Sequence, residues 1–597
     1  MWIICLILSL AVLIICGLTA AAFAKKPQMK ANRILTPFNV LFAGVIASVL
    51  IIMFPVYYAV CRGEQLQLLK ALLFTVHGTI QIFTVDSDIS LIPDYINSSV
   101  GRVAAVYSGY VSLLYVAAPL FTVGFLVSFF KNASAYIRFF LKRKKEVYVF
   151  SELNEKSLAL ASDIKHNHPD AAVVFTDVFE NNEEKSYELV TEAEKIGGIC
   201  FKKDILAVRL KIHSASKPMY LFVIGEDESE NIVQAVKLIR VHGDIPDSNL
   251  YIFTTNIESE LLLSHKAEIP MKVRRINEVR SLITRTLYED GEDLFKNALP
   301  AADGRKKIHA VIAGLGGYGT EMLKALTWYC QMDGYTIEID AFDRDELAEE
   351  RFKALCPELM SPVYNGVSVP GETEYTIRIH SGVDVETGVF SESISKMKDV
   401  TYAFAALGSD ENNVKSAVNL RMLFERSGIK PVIQLVVNNS DEKSALSGIT
   451  NYRGQRYNID CIGDLDSSFS EKVILNSDLE DFALKQHLKW GSEEEFWQYE
   501  YNYRSSIASA IHIKARISCN IPGAAKSEDQ LTEEERSVIE RLEHRRWNAY
   551  MRSEGYVYSG SPEKSSRNDL AKMHHDLVDF SSLSEDEKRK DSRVGTV

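Results

Sequence analysis

The residues best suited to chemistry form a glycine loop. His309 to Ala313 reads as a strand and runs directly into Gly314-Leu315-Gly316-Gly317-Tyr318-Gly319. A helix follows from Thr320 to about Gln331, and the next strand, Thr336 to Phe342, ends at Asp343. In that context Gly314 permits a tight turn, Gly316 lets the backbone approach a pyrophosphate, and Gly319 lets the helix pack closely on the strand. The helix N-terminus then faces the phosphates, and Asp343 stands where an acid would hold a ribose. The competing reading keeps the glycines for packing alone. Gly408-Ser409-Asp410-Glu411 opens a later helix in the same manner, so Gly408 and Asp410 join the candidate nucleotide-binding residues. Acids at such a helix start are also good caps and dipole partners.

A second set lies near the C-terminus. His544 and Trp547 are three residues apart and so share one helical face, while Arg546 points elsewhere on the same helix. Tyr556 and Tyr558 flank the following turn. An indole, an imidazole and an arginine together would stack a base and hold a phosphate. The alternative makes Trp547 and Tyr556 the core of a very small domain, with His544 satisfied internally.

These residues need a scaffold, and the middle of the chain supplies its pattern. From Glu146 short β runs alternate with helices, the signature of a parallel sheet covered on both faces. Val147 to Phe150, Ala171 to Phe175, Met219 to Ile224 and Asn249 to Phe253 read as strands, and the cycle restarts near Ile308. Gly225-Glu226-Asp227-Glu228 and Gly408-Ser409-Asp410-Glu411 share Gly-x-Asp-Glu, which points to duplication of one domain. The first copy departs from the glycine pattern: its first strand leads into Ser151-Glu152-Leu153-Asn154, which keeps a diphosphate at a distance. Ser440 to Lys489 is less periodic, and Trp490, Trp497, Tyr499, Tyr501 and Tyr503 form an aromatic stripe that reads as core.

Two resemblances follow from these motifs. The paired α/β segments are similar to the TrkA-N/RCK modules of the Rossmann class that regulate potassium channels and transporters. The tail, with Glu543-His544-Arg545-Arg546-Trp547, Gly555-Tyr556-Val557-Tyr558-Ser559-Gly560, His575-Asp576-Leu577-Val578 and Leu583-Ser584-Glu585-Asp586-Glu587-Lys588, resembles the RyR domain first described in ryanodine receptors. That resemblance implies a ligand sensor and not a catalyst, and its bacterial occurrences imply antiviral signalling.

The N-terminal part is apolar. Trp2 to Ala24, Phe38 to Val60 and Val103 to Phe130 are each long enough to span a bilayer, which takes about 20 residues. Ala21-Ala22-Phe23-Ala24 looks like a signal-peptide cleavage site, but no positive residue precedes the apolar run. Lys25, Lys26, Lys30 and Arg33 follow the first span, and Lys131, Arg138 and Lys142 to Lys145 follow the third. The positive-inside rule then places the N-terminus outside and the large C-terminal part in the cytoplasm of an inner-membrane, multi-pass protein. Leu68 to Val85 is apolar but interrupted by Lys70, His77 and Gly78, and is followed by Asp86 and Asp88. A re-entrant segment with acids at its mouth is a pore-building device; a fourth span or an interfacial helix is the other reading.

The expected fold is therefore a membrane α-helical region (1–135, with 68–85 as the possible re-entrant piece), two Rossmann-like α/β domains (146–300 and 305–440), a helical connector (441–520) and a small, mostly helical RyR-like domain (525–597). A net charge of −13 argues against binding duplex nucleic acid. Eight cysteines lack metal-ligand spacing, so no metal site is expected. No catalytic motif stands out. Three functions compete: a homo-oligomeric, ligand-gated membrane effector, its ligand NAD(H) or another adenine nucleotide; a membrane-anchored NAD(P)-dependent oxidoreductase; and an RCK-type regulatory subunit of a potassium transporter. The first absorbs most of these features.

Overall fold

A computed structural model describes residues 2–24, 37–84, 102–142, 144–178, 183–210, 217–255, 270–362, 374–448 and 451–596. Asp86 and Asp88, and the basic run from Lys25 to Arg33, lie outside them. The chain divides into two compact units, Met1–Arg143 with Ile199–Ile212, and Lys144–Gly198 with His213–Val597.

The smaller unit is built on helices Trp2–Ala24, Pro37–Val60, Gln67–Thr84 and Arg102–Leu141. Three contain segments long and apolar enough to cross a membrane: Ile3–Ala20, Val40–Val60 and Ala105–Val123. Small and hydroxylated residues bring them together, as lipid-embedded packing favours. Ser48 donates to the Ser9 carbonyl at 2.9 Å and Ser9 donates to the Ser48 carbonyl at 3.2 Å. A Cβ on Gly44 would stand 2.8 Å from the Cys16 Cβ. Gln67–Thr84 is one unbroken helix. Its Ala71, Thr75, Gly78, Thr79 and Ile82 are buried, and Gly78 leaves room for the Tyr57 ring.

The larger unit carries two parallel sheets. The first has strands in the order Ala172–Phe175, Val147–Phe150, Met219–Val223, Ser248–Phe253, Lys272–Ile276. The second runs Tyr375–Ser381, Tyr335–Asp343, Lys306–Ala313, Tyr402–Ala405, Val432–Val436, Ile459–Ile462. In order of sequence this second path is 3-2-1-4-5-6, the order of doubly wound α/β folds. The strand Ile459–Ile462 pairs with Val432–Val436, so the connector expected from residue 441 supplies the sheet's last strand. The second sheet is buried on both faces. Ile308, Ala310 and Ile312 face one core, and Val311 and Ala313 face the other, as the two-residue period of a strand requires.

The tail is no separate body. Its helix, Glu533–Ser553, starts at a Thr532/Glu535 capping box. It buries Ile539, Leu542, Ala549 and Met551 in the same core as Ile308 and Ile312.

Within the second sheet His309, 4% exposed at its side chain, reaches Asp340 through Nε2 and Asp399 through Nδ1, each at 2.8 Å. Burial alone would favour the neutral ring, but the two carboxylates outweigh it and raise the His309 pKa. Its stabilisation is complete below the unfolded value of about 6.5 and is lost as pH rises through the raised folded value. A His309→Gln variant should therefore melt below the parent at pH 6, with the gap narrowing towards pH 9. A gap constant across that range would contradict the pairing.

Candidate functional site

The cradle lies where the strand order of the second sheet reverses, between Lys306–Ala313 and its neighbour Tyr402–Ala405. Ligands of open α/β sheets bind in the crevice at this switch point. Gly314 has φ +93°, and a Cβ on it would meet the Ala406 carbonyl oxygen at 2.4 Å. A Cβ on Gly319 would meet the Gly314 oxygen at 1.8 Å. Both are demanded by the fold. Gly316 differs: its φ is −66° and nothing lies within 4 Å of its Cβ position. Gly317 and Gly408 face open space as well, although Gly408, at φ +88°, also needs the left-handed turn. Gly316 is the N-cap of the cradle helix, Gly317–Tyr329, and offers no side-chain cap, so its first amides are available to an anion.

Asp343 braces this loop. Its Oδ2 accepts the Leu315 N–H at 2.7 Å and its Oδ1 accepts the Asp345 N–H at 2.8 Å, leaving each oxygen further acceptor capacity. Asp410 is more fully engaged: it accepts from the backbone of Asn438 and Asn439 at 2.8–3.0 Å and joins two strand ends. The side chain that ties each copy together is one the Gly-x-Asp-Glu comparison passed over. Buried Asn413 accepts from the Leu407 N–H and donates to the Val436 carbonyl. Asn231 does the same with Gly225 and Phe253. Aligned on these asparagines, Glu228 and not Asp227 matches Asp410, because the amide must bridge two strands at one depth.

The first copy's crevice is occupied by acids. Glu152 projects to within 2.9 Å of the Cβ position of Gly225. Burial, then Glu226 and Asp177, raise its pKa, so a phosphate would add to existing repulsion.

The cradle helix leads into a cluster of ion pairs. Glu321, one turn in, pairs with Arg280 and Lys324 at 2.9 Å each. Glu554, at the end of the tail helix, pairs with Arg280 at 3.2 Å and Arg504 at 2.9 Å. Burial opposes ionisation of Glu321, but Arg280 and Lys324 prevail and bring it to about 2. Arg280 follows the first sheet, Lys324 lies on the cradle helix and Arg504 on the connector helix Glu500–Ser518. All three elements and the tail thus meet around Glu321 and Glu554.

In the tail, His544, Arg546 and Trp547 line one cavity of about 170 Å³, together with Gln486, Tyr501 and His574. That is comparable with a cavity of roughly 150 Å³ that accepts benzene, room enough for a single ring. Arg546 was expected on another face; it reaches the cavity because Glu543 draws it in at 2.7 Å. Its Nη1 is buried without a partner, as is the Oε1 of Gln486. Trp547 is both packed against the core and part of the wall. Tyr556 and Tyr558 are not in this wall. Tyr556 is buried with its hydroxyl towards Asp569 at 3.4 Å, and the Tyr558 N–H donates to Glu358. The short parallel pairing Val557–Tyr558 with Met573–His574 directs them there. His544 is held by the Val578 carbonyl at 2.8 Å.

Beneath the cavity Glu543 lies between Arg546 and Arg516, all three at most 2% exposed. Burial alone would raise the Glu543 pKa; the two guanidiniums overcome it and keep the carboxylate ionised. Arg516 is held in turn by His512 at 2.8 Å and the Gly595 carbonyl at 3.0 Å.

Sequence reasoning placed His575 and Asp576 in the tail motif but did not group them with His574 as ligands. His574, His575 and Asp576 bring candidate ligand atoms within 4.8 Å of one another. Burial and then Arg567 push His574 down to about 2, so its ring is neutral. No family model matches this chain, and no curated protein matches it.

Proposed function

We propose that this protein is a membrane-embedded, ligand-gated effector in which a nucleotide or nucleotide-derived molecule acts through the Rossmann-type second domain and the RyR-like tail. The observation that carries the reading is the open cradle at Gly316, Gly317 and Gly408, set on a helix whose next turn enters the Glu321–Glu554 ion-pair cluster. A phosphate on the helix N-terminus would favour one placement of that helix over another. A ligand shifts such an equilibrium only by its differential affinity, and coupling of about 1–3 kcal/mol is usual. The tail cavity, with the unspent Arg546 Nη1 beside Trp547, would receive a base or another single ring.

The output is assigned to the apolar helices. Five residues (142–146) separate helix Arg102–Leu141 from the first strand at Val147, a short tether for transmitting strain. In this reading the helices open a cation-conducting pore, the chain acts as a homo-oligomer in the inner membrane with its C-terminal part in the cytoplasm, and the signal is antiviral. The test uses full-length protein. Thermal shift in detergent against NAD(H), ATP, ADP-ribose and cyclic oligonucleotides should identify a stabilising ligand, and that ligand should trigger ion flux from proteoliposomes. Vesicles that stay tight with a bound, stabilising ligand would refute gating.

A further inference from the structure

We infer that His574, His575 and Asp576 form a binding site for one divalent transition-metal ion, with an open coordination position towards the tail cavity. His575 provides the first reason. It is only 6% exposed, and neither ring nitrogen has a hydrogen-bond partner. Buried polar groups are normally paired because leaving them bare costs free energy. An ion would complete the pairing, since Nε2 has only a carboxylate contact outside hydrogen-bond geometry. The Asp576 carboxylate lies 3.3 Å from the His575 Nε2, close enough to share an ion.

The second reason is the geometry of the neighbours. The His574 and His575 ring centroids lie 4.7 Å apart with planes 10° apart; imidazole lone pairs lie in the ring plane, so the His575 ring, which no hydrogen bond fixes, would turn to share an ion with His574. Strand pairing with Val557–Tyr558 and the edge of Trp547, 4.8 Å away, hold His574 in place. The His574 Nδ1 accepts the Asp576 N–H at 3.1 Å; coordination at that nitrogen would replace this bond. The third reason is chemical. Two imidazole nitrogens and one carboxylate oxygen suit zinc and its neighbours, whereas calcium and magnesium prefer oxygen alone. Three protein ligands leave a zinc-like ion one position for water or an incoming ligand. His574 and Asp576 both line the cavity, so that position would face it. An anionic group entering there would meet a cation other than Arg546, whose charge Glu543 already offsets.

Metal uptake at this site is independent of nucleotide binding in the cradle. Full-length protein in detergent, stripped with a chelator, should take up one equivalent of Co²⁺ with a visible absorption band, and Zn²⁺ should displace it. His575→Ala and Asp576→Asn should each weaken uptake by more than the roughly 10–100-fold that loss of an outer-shell partner costs. If either variant fails to fold, the parent titration decides alone. No stoichiometric Co²⁺ uptake by the parent, or parental affinity in both folded variants, would overturn the assignment.

Discussion

Replacing Glu543 with alanine is expected to destabilise the larger unit by about 3–5 kcal/mol, the cost of breaking a buried ion pair by removing one partner. Arg516 and Arg546 are 0% and 1% exposed at their side chains, so neither can turn to water when the carboxylate is gone. Two guanidiniums would then face each other across a small void. The effect should spread, because Arg516 also holds His512 and the Gly595 carbonyl, and His512 reaches the Gln331 carbonyl at 2.7 Å. Chemical denaturation of the full-length protein would measure the loss. Replacing Arg516, Glu543 and Arg546 together with apolar residues of similar volume should recover most of it, since the desolvation penalty disappears with the charges. A Glu543→Ala loss below about 1 kcal/mol, the scale of an exposed pair, would mean the triad is wetter than its burial indicates.

Gly316→Asp should leave the fold intact and abolish the nucleotide response. Its backbone conformation suits any residue, and the added side chain meets nothing within 4 Å. It would occupy the approach to the helix N-terminus with a negative charge. The expected result is a melting temperature without ligand at or slightly above the parent's, because Asp caps a helix N-terminus, and no ligand-induced shift. Gly319→Ala provides the contrast. Its methyl group would collide with the Gly314 oxygen, so the loop must move, at the 1–3 kcal/mol or so typical of overpacking. Full nucleotide-induced stabilisation of Gly316→Asp would remove the cradle from the mechanism.

Much of the cradle was legible because it is local. A strand, a glycine turn and a helix within some twenty-five residues carry period-two and period-3.6 patterns that a reader can follow. The tail was legible only in part. His544, Arg546 and Trp547 share one helix and do share one cavity, whereas Tyr556 and Tyr558 do not line it. Their directions depend on pairing with Met573–His574 and on Glu358, two hundred residues away. The Arg516–Glu543 and Arg280–Glu554 pairs also join distant segments, and no periodicity announces them. Ile459–Ile462 escaped notice because a four-residue strand after the small Asn451–Arg456 hairpin resembles loop. Consecutive histidines do not match familiar ligand spacings, so His574 and His575 drew no attention as ligands until the buried His575 ring proved to have no hydrogen-bond partner.

The acids that crowd the first crevice set a stoichiometry. Two sheets share one plan, and on the reading proposed above only the second would take a phosphate, since Glu152 and its neighbours crowd the first. Saturation should then come at one nucleotide for each polypeptide in the cradles, and a symmetric assembly would count its subunits, not its sheets.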